Sequence, residues 1–360
     1  MLDNGKITVM QMSLFFYISL LTTAVLTAQS LAAQMSKQDM WLAPYLGAVT
    51  GGIVVVLICA LHRRFPGQSI IEYSVTILGR PLGKLLGLFL MFFTLQATGI
   101  VLRQFVEFIA LNFLPRTPIF AVAAAMVFVC GVAVRSGVET LARHAQLLAA
   151  VILLFFFLIS VPLFPDFKYS NILPVFGNGL IPIIKGGLVY HLWFTMFIYA
   201  SFYMPSLKND KKLRRTMLGA VGMLAVTMSI SNLATLFIVG NMTPFFMFPF
   251  MVLGRYISLA DFFEHLESLV MAFWIFSLFL RIVLTYYAMA IGTAQWLKLS
   301  DYKPIVFPIG GLIIIFSLWT RSFAELLFQA ANHAFYYTSV GVGIPLLLLA
   351  VAMIRQRRGI

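Results

Sequence analysis

Three ionisable residues, Arg103, Glu107 and Arg281, fall inside apolar stretches long enough to cross a bilayer. A charge at the centre of a membrane helix costs roughly 2.5–3.5 kcal/mol on insertion scales, so it persists where it pairs, binds a ligand or lines a water-filled path. Arg103 and Glu107 are four residues apart, one turn along one helix face, and can pair. Gln96 and Gly99 continue that face. The stripe reads either as a gating or site-lining charge pair, or as a structural pair that fixes packing. Arg281 shares its face with Ser277 and Thr285 and has no acidic residue within a turn. Its counter-ion must come from another helix or from a ligand, and a carboxylate suits it.

Weaker polar signals accompany these. Thr22, Thr23 and Thr27 sit at the centre of the first apolar run. Their hydroxyls either meet a ligand or bond back to their own helix. A later run carries His191, either structural or a ligand, and Trp193, Phe194, Met196 and Tyr199, which either line a cavity or face lipid. The five histidines and two cysteines show no metal-ligand spacing. No phosphate-binding loop, dinucleotide fingerprint, zinc-protease motif or serine triad occurs. The chain therefore reads as non-enzymatic, without a cofactor or metal.

The elements that hold these residues follow from composition. Hydrophobic residues make up 61% of the 360 residues and charged ones 10%, against about 45–50% and about 25% in soluble domains. So few charges cannot build a water-facing surface, which excludes a cytosolic enzyme, a disordered chain or a secreted module. A hydrocarbon core about 30 Å thick takes roughly 20 residues of helix. Apolar runs of that order lie at about 9–33, 43–61, 84–113, 118–134, 145–164, 186–204, 216–240, 267–297, 304–320 and 339–354. The expectation is an all-α integral membrane protein, residues 1–360 forming one transmembrane domain of about ten helices.

Ten crossings put both termini on one side. Of the 25 Lys and Arg, six fall on the opposite side (Lys37, Arg116, Lys168, Lys185, Arg255 and Arg321) and two, Arg103 and Arg281, fall in spans. The remaining seventeen share the side of the termini, which is therefore cytoplasmic. The net charge of +13 is thus an orientation signal next to anionic lipid, and no nucleic acid is expected as a partner.

Five spans (9–164) precede an extracellular connection at 165–185, and five (186–354) follow it. An odd number per half gives the halves opposite polarity, a 5+5 inverted repeat of the LeuT-like kind, with the ligand site near the midplane. Residues 69–80 are apolar but short and suit the inner interface. The aromatic, proline-containing stretch 241–262 suits an outer interfacial or capping helix. The Gly- and Pro-rich stretch 171–187 is either a re-entrant or lid segment or an ordinary loop.

Several strings resemble the spore germination protein B-subunit family, the membrane subunits of nutrient germinant receptors. They are GKIT at 5–8 with Gln11, the Arg103/Glu107 spacing ahead of FLPRTPI (113–119), GVETLAR (137–143), NILPVFGNGLIPI (171–183), MPSLKNDKKLRR (204–215) and FFEHLESLVMAFWIF (262–276). The resemblance covers nearly the whole chain. It implies an amino acid–polyamine–organocation transporter fold that senses a small nutrient in the spore inner membrane. It also implies a larger membrane A subunit and a lipoprotein C subunit as partners. Carried over by position, Arg103 and Glu107 match the family's third-helix charges, and Met196 and Thr285 fall on the pocket walls. Thr22 and Thr23 stand where many members carry glycine, and Arg281 where a small polar residue is also found; these departures leave the nutrient open. The alternative is a secondary amino acid transporter acting alone.

Overall fold

A computed structural model describes residues 2–256, 266–319 and 334–357. Its long helices are α1 (Val9–Ser36), α2 (Ala43–Arg64), α4 (Arg80–Asn112), α5 (Ile119–Arg135), α6 (Val138–Ser160), α7 (Leu180–Phe194), α9 (Leu213–Val239), α11 (Leu266–Leu297) and α12 (Val306–Trp319). Three short helices, α3 (Ile70–Leu78), α8 (Ala200–Tyr203) and α10 (Pro249–Tyr256), lie between them, and α13 (Ile344–Arg357) ends the chain. Among the described residues eight helical stretches are long and apolar enough to cross a membrane, and two shorter apolar ones complete the series. This is a multi-pass membrane protein. Among the described residues there is no β-strand; Ile7 and Leu207 form an isolated bridge.

The long helices sort into two groups. Helices α1, α2, α7 and α9 pack on one another, as do α4, α5, α11 and α12. Helix α1 meets α11 across the boundary, and α6 leans on both. The centre of α1 is buried on all sides, from Phe15 to Ala33. A helix apolar all round belongs in the middle of a bundle.

The short helices cover the ends. Ser69 and Glu72 form a capping box that starts α3, and Ile70, Ile71, Tyr73 and Ile77 form its buried face. Helix α10 sets Phe250 against Phe273 and Trp274 of α11 and Phe156 of α6; residues 257–262 of the aromatic stretch lie outside the described residues. Residues 171–179 run over the outer end of α1. There Lys37 donates to Asn178, Gln38 to the Pro174 carbonyl, and the Phe176 N–H to the buried Asp39. Helix α7 then begins at Leu180, earlier than hydropathy alone places it. Gly186 lets it approach α1 closely: a Cβ there would sit 1.9 Å from the Ser36 hydroxyl oxygen, which donates to the Pro182 carbonyl.

Candidate functional site

Helix α1 is unbroken through the membrane. Its three central threonines are spent locally: Thr22 donates to Ile18, Thr23 to Leu20 and Thr27 to Thr23, each to a main-chain carbonyl. Their oxygens keep acceptor capacity, and Thr23 accepts from the Trp193 indole at 3.1 Å. Ser19, one turn toward the cytoplasm, donates to the Leu280 carbonyl of α11.

The sixth spanning helix is irregular. It is α-helical to Phe194, tightens into a 3₁₀ segment over Thr195–Tyr199, recovers as α8 and ends in a second 3₁₀ turn at Met204–Ser206. A 3₁₀ stretch inside a longer helix often marks a hinge. Met196 is buried within it. The last span contains a π-helical turn at Ser339–Gly343, whose Gly341 faces Thr195. Two departures from α geometry therefore meet, one from each of two spans.

Arg281 lies midway along α11 and is 3% exposed. Its Nε and Nη1 have no hydrogen-bond partner among the described residues. The phenols of Tyr199 and Tyr337 are within electrostatic reach of the guanidinium. The Tyr199 hydroxyl has no hydrogen bond of good geometry among the described residues, although Thr94 is its neighbour. Phe93 stacks on Tyr199 and meets Tyr336 and Tyr337 edge-on. Four elements thus converge on one cation: α4, the 3₁₀ segment, α11 and the span that ends in α13. Thr285 sits one turn inward, fully buried, with its hydroxyl directed to the Arg281 and Ile282 carbonyls.

The second charged group sits elsewhere on α4. Arg103 Nε donates to Glu107 at 2.5 Å. The stripe it belongs to turns toward α12, since a Cβ on Gly99 would meet Phe316. Gln96 is half-buried on that stripe. Of the sequence candidates, Arg281, Thr285 and Met196 lie on the central elements, and Thr23 reaches them through Trp193. Thr22 faces its own helix. Tyr199 was one aromatic among many in sequence; Phe93, Tyr336 and Tyr337 carried no local signal.

At the cytoplasmic end, a polar cavity of about 420 Å³ is lined by Asp3, Glu72, Ser206, Tyr287, Gln295 and Lys298, among others. Asp3 closes one wall, accepting from the Gly5 and Val138 N–H groups at 2.8 Å, from Tyr287 at 3.1 Å and from Tyr302 at 3.4 Å. Burial and the adjacent carboxylate push the Tyr302 phenol up, so it stays a donor at neutral pH. Among the described residues no group of three or more His, Cys, Asp or Glu is placed to hold a metal.

This arrangement has known counterparts. Over 99% of its length the chain superposes on 80% of Mhp1, a nucleobase-cation-symport-1 family transporter, with a TM-score of 0.72 at 13% identity. A Na⁺-coupled sialic acid symporter superposes with a TM-score of 0.63 at 11% identity, covering 94% of this chain and 79% of that one. The fold is therefore that of the LeuT-like transporters. In sequence, the spore germination protein YndE of Bacillus subtilis (strain 168) is 26% identical over 98% of each chain. Spore germination protein KB of the same organism is 26% identical over 99% of this chain and 97% of its own. The family described as "Spore germination protein" matches residues 6–324. Those residues take in both helix groups and Arg281, and on that match the chain belongs to the spore germination protein family.

Proposed function

We propose that this chain is the nutrient-sensing membrane subunit of a spore germinant receptor. It binds a small nutrient carrying a carboxylate, an amino acid or a similar compound, at the midplane, and binding triggers germination. The observation that carries this reading is Arg281, a buried cation whose Nε and Nη1 have no hydrogen-bond partner among the described residues, beside the 3₁₀ segment and the span that carries the π turn. A buried charge left without a counter-ion is strongly destabilising, and a bound carboxylate removes that penalty. The aromatic ring set around it gives a ligand an apolar wall. The 3₁₀ segment and the π turn supply the element whose packing the ligand biases. The subunit works in the spore inner membrane beside a larger membrane subunit and a lipoprotein. It performs no catalysis.

The test is direct binding. The full chain in lipid nanodiscs is titrated with a panel of amino acids and their amides. A ligand that binds as the acid, fails as the amide and is lost in Arg281→Gln supports the reading. Equal binding by Arg281→Gln would overturn it. The second reading, a transporter acting alone, draws on the likeness to symporters. Steady uptake of a labelled amino acid by liposomes holding this chain alone would favour it.

A further inference from the structure

On the lipid side of the scaffold an apolar groove of about 940 Å³ runs between α4, α5 and α11, with Leu148 of α6 also in its lining. Phe105 and Ile109 of α4 and Val122 and Met126 of α5 are its buried lining, Ala125 and Val129 stand exposed at its edge, and Ile275 and Phe279 line it from α11. Its extent is informative. On α5 it runs from Ala121 to Val129 and on α11 from Met271 to Phe279. Eight residues of helix cover about 12 Å. Half of a hydrocarbon core about 30 Å thick is about 15 Å. The groove therefore occupies one leaflet, the outer one, and stops near the midplane. A transmembrane helix of a partner would run the full height of the bilayer, whereas an acyl chain is one leaflet long. Its outer end is bordered by the loop at 113–118, of which Phe113, Leu114 and Thr117 belong to the lining and Arg116 is the one ionisable side chain, exposed. Apolar depth beneath an exposed cation matches the two ends of a phospholipid: the tail in the groove, the phosphate at Arg116.

We propose that this groove is a binding site for one anionic phospholipid of the outer leaflet. The site abuts α11 on the face away from the central cluster, and it does not depend on the chain sensing a nutrient. Purified full-length chain is titrated with phosphatidylglycerol and examined by native mass spectrometry. One lipid is retained per chain, and zwitterionic phosphatidylcholine is retained at least several-fold less. Arg116→Glu lowers phosphatidylglycerol retention at least several-fold. Val129→Trp, at a residue 53% exposed and so tolerant of bulk, blocks the inner end and lowers retention of both lipids. A phosphatidylglycerol with a diazirine in its tail crosslinks to the peptide spanning 121–129, which reads the site in the unmodified chain. The proposal is overturned if retention is the same for both lipids and both variants, or if crosslinks fall elsewhere. A dimer that Val129→Trp dissociates would also overturn it, because a second copy would then be the occupant.

Discussion

Tyr287, near the inner end of α11, donates its hydroxyl to Asp3 at 3.1 Å, tying the third residue of the chain to the helix that carries Arg281. The same carboxylate caps the start of α6 through the Val138 N–H and accepts from Tyr302 ahead of α12. A few residues on, Ile7 donates to Ser206 and accepts from Lys208 just past the sixth spanning helix. The amino-terminal segment is thus a strap between the two helix groups on the cytoplasmic side.

Removing the strap's pin opens the cavity it closes. Asp3→Ala leaves the first N–H of α6 uncapped, which costs about 1 kcal/mol, and frees both tyrosines. Cys59 and Cys130 are buried, so a cysteine introduced in place of Gln295 in the cavity wall reports cleanly. A maleimide applied from the inner side labels it several-fold faster in the Asp3→Ala background. Equal labelling rates would show that Asp3 does not hold the end shut.

Arg281 separates stability from function. Replacing a poorly satisfied buried cation by an apolar side chain of similar length is neutral or stabilising by about 1–4 kcal/mol in other proteins. Arg281→Met is expected to raise the melting temperature of the purified chain and to abolish the nutrient response. Lower stability together with a normal response would refute the role of the cation.

Arg103 and Glu107 are expected to act as a unit. Contacting residues show coupling of about 0.5–3 kcal/mol in double-mutant cycles. Arg103→Ala and Glu107→Ala each destabilise, and the double variant is no worse than either single one. Fully additive losses in thermal unfolding would count against a shared role.

Two glycines make an internal control. A Cβ on Gly341 would lie 2.6 Å from the Thr195 Cβ, whereas one on Gly219 of α9 meets nothing within 4 Å. Gly341→Ala must push the π turn off the 3₁₀ segment and so impairs the response at unchanged protein level. Gly219→Ala is stabilising by about 0.5–1 kcal/mol, the ordinary gain in a helix. Similar behaviour of the two in germination assays would remove the contact between irregular segments from the mechanism.

The helices were legible in sequence because burying a helix in hydrocarbon demands about 20 apolar residues. Their ends were less so. Helix α6 starts at Val138, since its first turns carry Glu139 and Arg143, an exposed ion pair at 2.5 Å that lowers local hydropathy without breaking the helix. Helix α7 starts at Leu180 with Pro182 in its first turn, where a missing N–H is tolerated. At the site, Arg281 stood out because a charge in a span is rare. Its aromatic neighbours did not, since Phe93, Tyr199 and Tyr337 come from separate spans in a chain with 35 phenylalanines and 13 tyrosines. Helix α1 runs uninterrupted through SLLTTAVLTAQ, which lacks both glycine and proline. The 3₁₀ segment had no such mark.

That contrast between α1 and the sixth helix has a mechanical consequence. The two are fastened together near both ends, by Ser36 to the Pro182 carbonyl outside and by Ile7 to Ser206 inside. One member is a stiff strut about 42 Å long, from 28 residues of uninterrupted helix. The other has a compliant middle. Rewinding Thr195–Tyr199 from 3₁₀ to α would shorten it by about 2.5 Å, at about 2.0 against 1.5 Å per residue. With its ends held by the strut, that shortening has to be taken up in the middle, which is drawn straighter and so shifts Thr195–Tyr199 relative to Arg281. Paired spin labels on the 3₁₀ segment and on α11 would register the shift as a changed separation, while labels at the two fastened ends would not move.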